Sequence, residues 1–259
     1  MNSSSQQTER LAVNRISVTK RGLLLCALSL LVPGPARGAS WEVDPVRVEL
    51  SQKQQTSAIT IRNISSESTT IQLKAVAWTQ TGGKDVFTPT KELLISPPIV
   101  TIPANGEQII RVALRKKSVG MNELTYRINL QELPAHPTPG FTGLQVALRI
   151  GVPVFVKPQK GKGLPQGAWV IARMSDARLK VGVQNHSNEH LQISDISLFV
   201  PGSTQAIAVE SGSSYVLAGQ AREWVLKSNS NESISGGRIQ LKANTDAGDV
   251  DTELALGKP

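Results

Sequence analysis

The sequence predicts an all-β protein of two sandwich domains in tandem, and three observations carry the prediction. Apolar and polar residues alternate along most of the chain, helical periodicity is almost absent, and Gly/Pro/Asn-rich pieces punctuate the runs. In the first half the alternating stretches are 41–50, 58–63, 70–79, 99–102, 108–115, 123–133 and 144–156. Turn signals such as Gly82-Gly-Lys-Asp85, Pro103-Ala-Asn-Gly106 and Pro137-Thr-Pro-Gly140 separate them. Six or seven short strands in about 115 residues, apolar at every second position, is the pattern of an immunoglobulin-like sandwich. The stretch 158–165, Pro-Gln-Lys-Gly-Lys-Gly-Leu-Pro, has nothing to bury and reads as a linker. A second, less regular series follows at 168–174, 178–185, 191–200, 214–217, 221–226, 238–243 and 250–256. The expected organisation is therefore residues 39–157 as one domain, 158–165 as linker and 166–259 as a second β-sandwich. Neither half shows a sequence repeat of the other.

The first 38 residues read as a targeting segment. A basic stretch ending Lys20-Arg21 leads into an apolar run of 11 residues, Gly22 to Val32, broken by Pro33. The run is shorter than the roughly 20 residues needed to span a bilayer, so a cleaved signal peptide is expected and stable membrane insertion is not. Small residues in Ala36-Arg-Gly38 put the cleavage between Gly38 and Ala39, and the long basic start also allows translation to begin further downstream. The single cysteine, Cys26, lies inside this segment, behind Leu25. The mature chain thus has no disulfide, thiol nucleophile or thiolate metal site, and its stability rests on buried apolar surface. Arg10, Arg15, Lys20, Arg21 and Arg37, against Glu9 alone, carry half of the formal net charge of +8. The remainder is scattered with no basic cluster among aromatics, which argues against nucleic-acid binding.

Catalytic constellations are missing from the sequence. His136, His186 and His190 each fall in an expected loop. His186 and His190 have the spacing of a helical metal pair, but Asn185-His-Ser-Asn-Glu-His190 reads as a turn, so no metal and no cofactor is expected. No nucleophile elbow, phosphate-binding loop or dinucleotide fingerprint occurs, and Asp249 with Asp251 read as solvated side chains. The protein is not expected to be an enzyme.

Four segments together resemble the periplasmic pilus chaperones of the chaperone-usher pathway, the PapD-like family. Val43-Asp-Pro-Val-Arg-Val-Glu-Leu50 looks like the family's first strand, whose arginine points into the cleft between two angled domains. Ser96-Pro-Pro98 falls at a family corner, and Glu123-Leu-Thr-Tyr-Arg-Ile-Asn-Leu-Gln-Glu-Leu-Pro134 resembles the signature ending Asn-Leu-x-x-Ile-Pro. Leu144-Gln-Val-Ala-Leu-Arg-Ile-Gly-Val-Pro-Val-Phe-Val-Lys-Pro158 resembles the long last strand of domain one. The resemblance implies donor-strand complementation. Leu144, Val146, Leu148 and Ile150 share one face of that strand and would fill the groove of a pilus subunit whose immunoglobulin fold lacks a strand. Read on its own, the same row is better explained as lining the chain's own core, or as part of a strand buried on both faces. The resemblance also implies an outer-membrane usher as partner, a periplasmic location, and an exposed edge that a self-capping dimer would protect.

Arg47 matches the arginine that grips the subunit's C-terminal carboxylate. The best-known members add a lysine where this chain has Pro153. Arg127 and Arg149 are the candidates for the second grip, with Arg127 favoured, and the departure places the chain nearer the archaic branch, whose subunits resemble spore-coat protein U. The family's buried ionic link between domains maps to Glu123 and Lys157, with Glu232 near a third position. The competing reading is an exported immunoglobulin-like adhesive or structural surface protein, which needs neither the signature at 129–134 nor the apolar row.

Overall fold

A computed structural model describes residues 41–115, 120–134, 146–160, 167–174, 177–229 and 237–257. The expected signal peptide, Leu144, Glu232 and most of the expected linker lie outside them. The described residues form seventeen strands and no helix.

The first sandwich has one sheet in the order β1 (Trp41–Asp44), β3 (Thr56–Asn63), β8 (Glu107–Leu114), β6 (Leu93–Ser96). The facing sheet runs β2 (Val48–Leu50), β10 (Arg149–Val156), β9 (Leu124–Leu133), β4 (Thr69–Thr81), β5 (Lys84–Pro89), with β7 (Ile99–Ile102) beside β4. Every pairing is antiparallel except β2 with β10. Because side chains alternate across a strand, Ile59, Ile61, Ile110 and Val112 from one sheet meet Ile71, Leu73, Ile128, Leu130, Val152 and Val154 from the other, all buried.

The second core is enclosed by a single hydrogen-bonded path, β14 (Ala206–Val216), β13 (Leu191–Phe199), β16 (Arg238–Thr245), β17 (Val250–Gly257), β11 (Gly167–Arg173), β12 (Arg178–Asn185) and β15 (Ala221–Lys227). A short parallel pairing of β11 with β17 joins its two layers. Leu179, Val181, Ile193, Leu198, Ile239 and Leu241 fill it.

The two sandwiches do share a local design that the sequence reading passed over. Asn63 and Asn185 are both fully buried. Asn63 Nδ2 donates to the carbonyls of Glu67, Ile102 and Pro103, while its Oδ1 accepts from the backbone and hydroxyl of Ser65. Asn185 does the same with Glu189, Val216, Leu217 and Ser187. The repeated string is Asn-x-Ser-x-Glu, Asn63 to Glu67 and Asn185 to Glu189. In both, a side-chain amide stands in for backbone partners and knits the end of one strand to a loop of the other layer.

The stretch 41–50, expected as one strand, is two. The chain leaves β1 at Asp44, passes Pro45, and enters the opposite sheet as β2 at Val48. Proline has no N–H to continue a ladder, so the strand breaks there. Arg47 stands at the entry to the second sheet. β5 was not expected: its six residues are all exposed and show no buried face. A two-residue turn at Gly82 and Gly83, with φ of 57° and 75°, sets it against β4, a conformation that glycine adopts without strain.

Candidate functional site: an open strand edge closed by two arginines

β10 pairs with β9 along its whole length, from Arg149 opposite Gln131 to Val156 opposite Leu124. On its other side only Val154 to Val156 are paired, with Val48 to Leu50 of β2, and the Lys157 N–H continues that contact to the Leu50 carbonyl. Among the described residues no strand pairs with the outer edge of β10 before Val154. The Leu148 carbonyl faces β9, where it accepts the Glu132 N–H, so the even-numbered residues direct their backbone groups inward. The N–H and C=O groups of Arg149 and Gly151 therefore point outward. Pro153 lies in the same outward set, the position where a missing N–H leaves the β9 ladder intact.

The apolar row divides along this strand. Val152, Val154 and Val156 are buried in the chain's own core; Ile150 and Leu148 are half-buried against it; Val146 is 56% exposed. The row thus runs continuously from a face the sandwich fills to one it leaves open.

The opposite face of the same sheet looks into the cleft between the sandwiches. Cross-strand register puts Arg127 directly opposite Pro153, and Arg47 immediately precedes the residue that pairs with Val154. The two arginines therefore flank Pro153 on neighbouring strands. Arg47 Nη1 donates to Gln192 Oε1 at 3.2 Å and lies 3.9 Å from Asp246 Oδ2, while Nη2 is 3.4 Å from Glu49 Oε1; the side chain remains 35% exposed. Arg127 is placed differently. Its Cζ lies 5.2 Å from the ring centres of both Trp78 and Phe87, and its buried Nε has no hydrogen-bond partner. A Cβ on Gly151 would stand 2.7 Å from that Nε, so the glycine clears the path along which Arg127 runs. Arg149 shares the cleft face but is exposed and lies at the far end of the strand, opposite Gln131.

One expectation is corrected. Glu123 and Lys157 do not form a pair. Lys157 Nζ bonds Glu49 Oε2 at 2.8 Å, because Glu49 is the residue opposite Phe155 across the β2–β10 ladder. That contact holds the Glu49 carboxyl below its ordinary range and raises the Lys157 ammonium. Buried Glu123 instead accepts the backbone N–H of His190 at 2.9 Å, with His190 Nδ1 at 2.8 Å from the same oxygen. The His190 ring stacks on Phe155 with centroids 3.6 Å apart. His190 was read only as a turn residue; its place one step after the Asn185–Glu189 turn was the available signal. Around it Trp78, Phe155 and Leu217 are buried together, and Gln80 crosses to the second sandwich through the Leu217 N–H and the Tyr215 carbonyl. Burial pushes the Tyr215 hydroxyl above its ordinary range against the pull of Arg47, which keeps a neutral phenol beside the cation.

Two immunoglobulin-like sandwiches in tandem, the first with a strand edge left unpaired among the described residues, define a two-domain immunoglobulin-like scaffold. Residues 40–162, which span the first sandwich, match the family model for the PapD N-terminal domain of pili and flagellar-assembly chaperones, and this domain belongs to that family. No curated protein matches the chain by sequence. Among solved structures, a chain of the CsuC-CsuE chaperone–tip subunit complex from archaic chaperone-usher Csu pili of Acinetobacter baumannii matches at a TM-score of 0.61 and 17% identity, covering 85% of this chain and all of that one. The YadV chaperone matches at 0.57 and 20% identity, over 83% and 99% of the two chains. The Salmonella enterica SafA pilin–SafB chaperone structure matches at 0.56 and 18%, over 85% and 98%. At these identities the likeness is one of fold.

Proposed function

We propose that this protein is a periplasmic chaperone for pilus subunits: it lends the row Leu144, Val146, Leu148 and Ile150 and the outer edge of β10 to a subunit lacking a strand, and grips the subunit's C-terminal carboxylate with Arg47 and Arg127. The observation that carries the proposal is the lane beside β10. From Val154 onward β2 fills it, parallel to β10; before that no strand among the described residues pairs with it. A strand added there in the parallel sense must stop where β2 begins, which places its terminal carboxylate beside Arg47 and within reach of Arg127. An antiparallel strand would bring an ammonium or a continuing chain to two guanidiniums. Fold, family and site support the same reading, and a family of chaperones has no need of a catalytic centre. We assign the chain to the archaic branch on Pro153 and the run that follows it, and infer export through a cleaved signal, an outer-membrane usher that receives the loaded chaperone, and an edge that a second copy would cap when no subunit is bound.

The test is co-expression of the mature chain with a pilus subunit from the same genome, and with that subunit extended by two residues at its C-terminus. A stable one-to-one complex with the first and none with the second is expected. Failure of the unmodified subunit to form a complex would refute the proposal.

A further inference from the structure

Glu132 is an acidic residue on the core face of β9, aligned with Ile128 and Leu130 and opposite Ile71 of β4, and only 9% exposed. A carboxylate in that position opposes core formation unless it is hydrogen-bonded. Its partner is specific: Oε2 accepts the Leu148 N–H at 3.0 Å, while the Glu132 N–H donates to the Leu148 carbonyl at 2.9 Å. Leu148 and Glu132 continue the inward hydrogen-bonded pairs of β10 and β9, and two such residues ordinarily exchange both backbone bonds. Here the side-chain oxygen has taken the place of the backbone carbonyl in one of them. Regular strand ends at this point, since β10 starts at Arg149. The apolar row also changes character here, from half-buried Leu148 to exposed Val146.

We propose that Glu132 is a register clamp for the donor segment. By holding Leu148 through its carboxylate, it pins the last residue that the sandwich shares with its own core and lifts the chain before it off the sheet, so that Val146 faces outward. A backbone-to-backbone bond would hold Leu148 equally well, but would draw Val146 down onto the sandwich and close the mouth of the core. A one-residue slip turns the apolar row to the wrong face, so a fixed point next to the open segment is what a donor strand requires. This inference rests on the subunit-chaperone reading and adds a positioning residue to it.

The experiment uses the full mature chain with Glu132→Gln, which keeps an acceptor oxygen, and Glu132→Leu, which fills the same apolar mouth without one. Amide hydrogen exchange at Leu148 is read by NMR in the free protein, and dissociation of a co-purified pilus subunit is read separately. The expected result is slow exchange in the wild type and Glu132→Gln. In Glu132→Leu, exchange at Leu148 rises at least tenfold relative to Ile150, and the subunit dissociates about tenfold faster from a chaperone of unreduced stability, in line with loss of a hydrogen bond to a charged group. Equal protection of Leu148 in the wild type and Glu132→Leu, or equal subunit dissociation from the two, would overturn the clamp. Because exchange is measured without subunit, its outcome is independent of the chaperone reading, which fails separately if the wild type captures no subunit.

Discussion

Arg127 offers the sharpest separation of structure from function, because under the proposed anchor its replacement should have small effects on folding and large ones on binding. In Arg127→Met an unbranched apolar side chain keeps the contact with Trp78 and Phe87 and loses the charge. Stacking a cation on these rings contributes about 0.5–2 kcal/mol. Against that stands a buried Nε without a partner, a cost of about 1–3 kcal/mol that the substitution removes. The two nearly cancel, so the free protein should keep its urea midpoint, with a stability change of no more than about 1 kcal/mol in either direction. Truncating one partner of a buried charge pair costs an interface about 2–5 kcal/mol. At the low end that is roughly a 30-fold loss in subunit affinity. Urea denaturation of the free chaperone and calorimetric titration with a subunit measure the two quantities. A variant that binds as tightly as the wild type, or one that unfolds by more than about 2 kcal/mol, would show that Arg127 is a packing residue and not an anchor. Arg149→Ala, exposed and remote from Arg47, should leave both unchanged.

Three further outcomes follow from the geometry. Gly151→Ala brings a methyl to 2.7 Å from Arg127 Nε and 2.9 Å from its Cδ; the flexible arginine moves aside, so affinity should fall severalfold with a stability loss below about 1 kcal/mol, seen by the same two assays. Val146→Glu, at an exposed position of the row, should leave the free protein folded by circular dichroism and abolish co-purification of the subunit; normal capture would remove Val146 from the donor surface. For the Glu49–Lys157 pair, Glu49 is depressed chiefly by its hydrogen bond from Lys157, so its contribution is complete above the usual carboxylate range and is lost as pH falls through the lowered value. Both side chains are well exposed, and solvent screening holds the pair to less than about 1 kcal/mol, so Glu49→Gln should flatten the acid limb only slightly in a thermal-melt pH series.

Strand periodicity made most of the fold legible: β3, β8 and β9, whose burial alternates, are strands the pattern located, although the four-residue β6, which alternates as well, was passed over. β5 escaped because no residue of it is buried, and it exists through its tight turn and its pairing with β4. Arg47 was legible through the segment it occupies, but not its position at a change of sheet, which depends on Pro45 ending one strand. Arg127 was favoured over Arg149 along the sequence, but the place of each in the sheet was not legible there. Both face the cleft, and only the cross-strand register puts one opposite Pro153 and the other opposite Gln131. The Glu123–Lys157 pairing failed for a related reason: both positions matched a family pattern, but the choice of partner fell to His190 and Glu49, which neighbour them through turns and ladders that spacing does not report.

Pro153 accounts for much of how this site differs from its better-known relatives. A lysine at that position would send its ammonium into the cleft from β10 itself, one strand away from the incoming chain. Proline ends that option, but its place in the outward-facing set costs the β9 ladder nothing, so the strand survives the change. In the proposed anchor the second cation comes from β9, about 4.8 Å further from the unpaired edge, and the longer side chain of Arg127 would cover that distance along the path that Gly151 leaves clear. Two guanidiniums also recognise an anion differently from an arginine and a lysine, since each presents a planar fork that an ammonium lacks. In the proposed anchor a planar, two-oxygen group such as a terminal carboxylate would have its orientation as well as its position set. With the proposed clamp at Glu132 holding one end of the exchange and the proposed arginine pair the other, register would be set from two points on one sheet, about 17 Å apart at about 3.3 Å per residue over the strand that joins them.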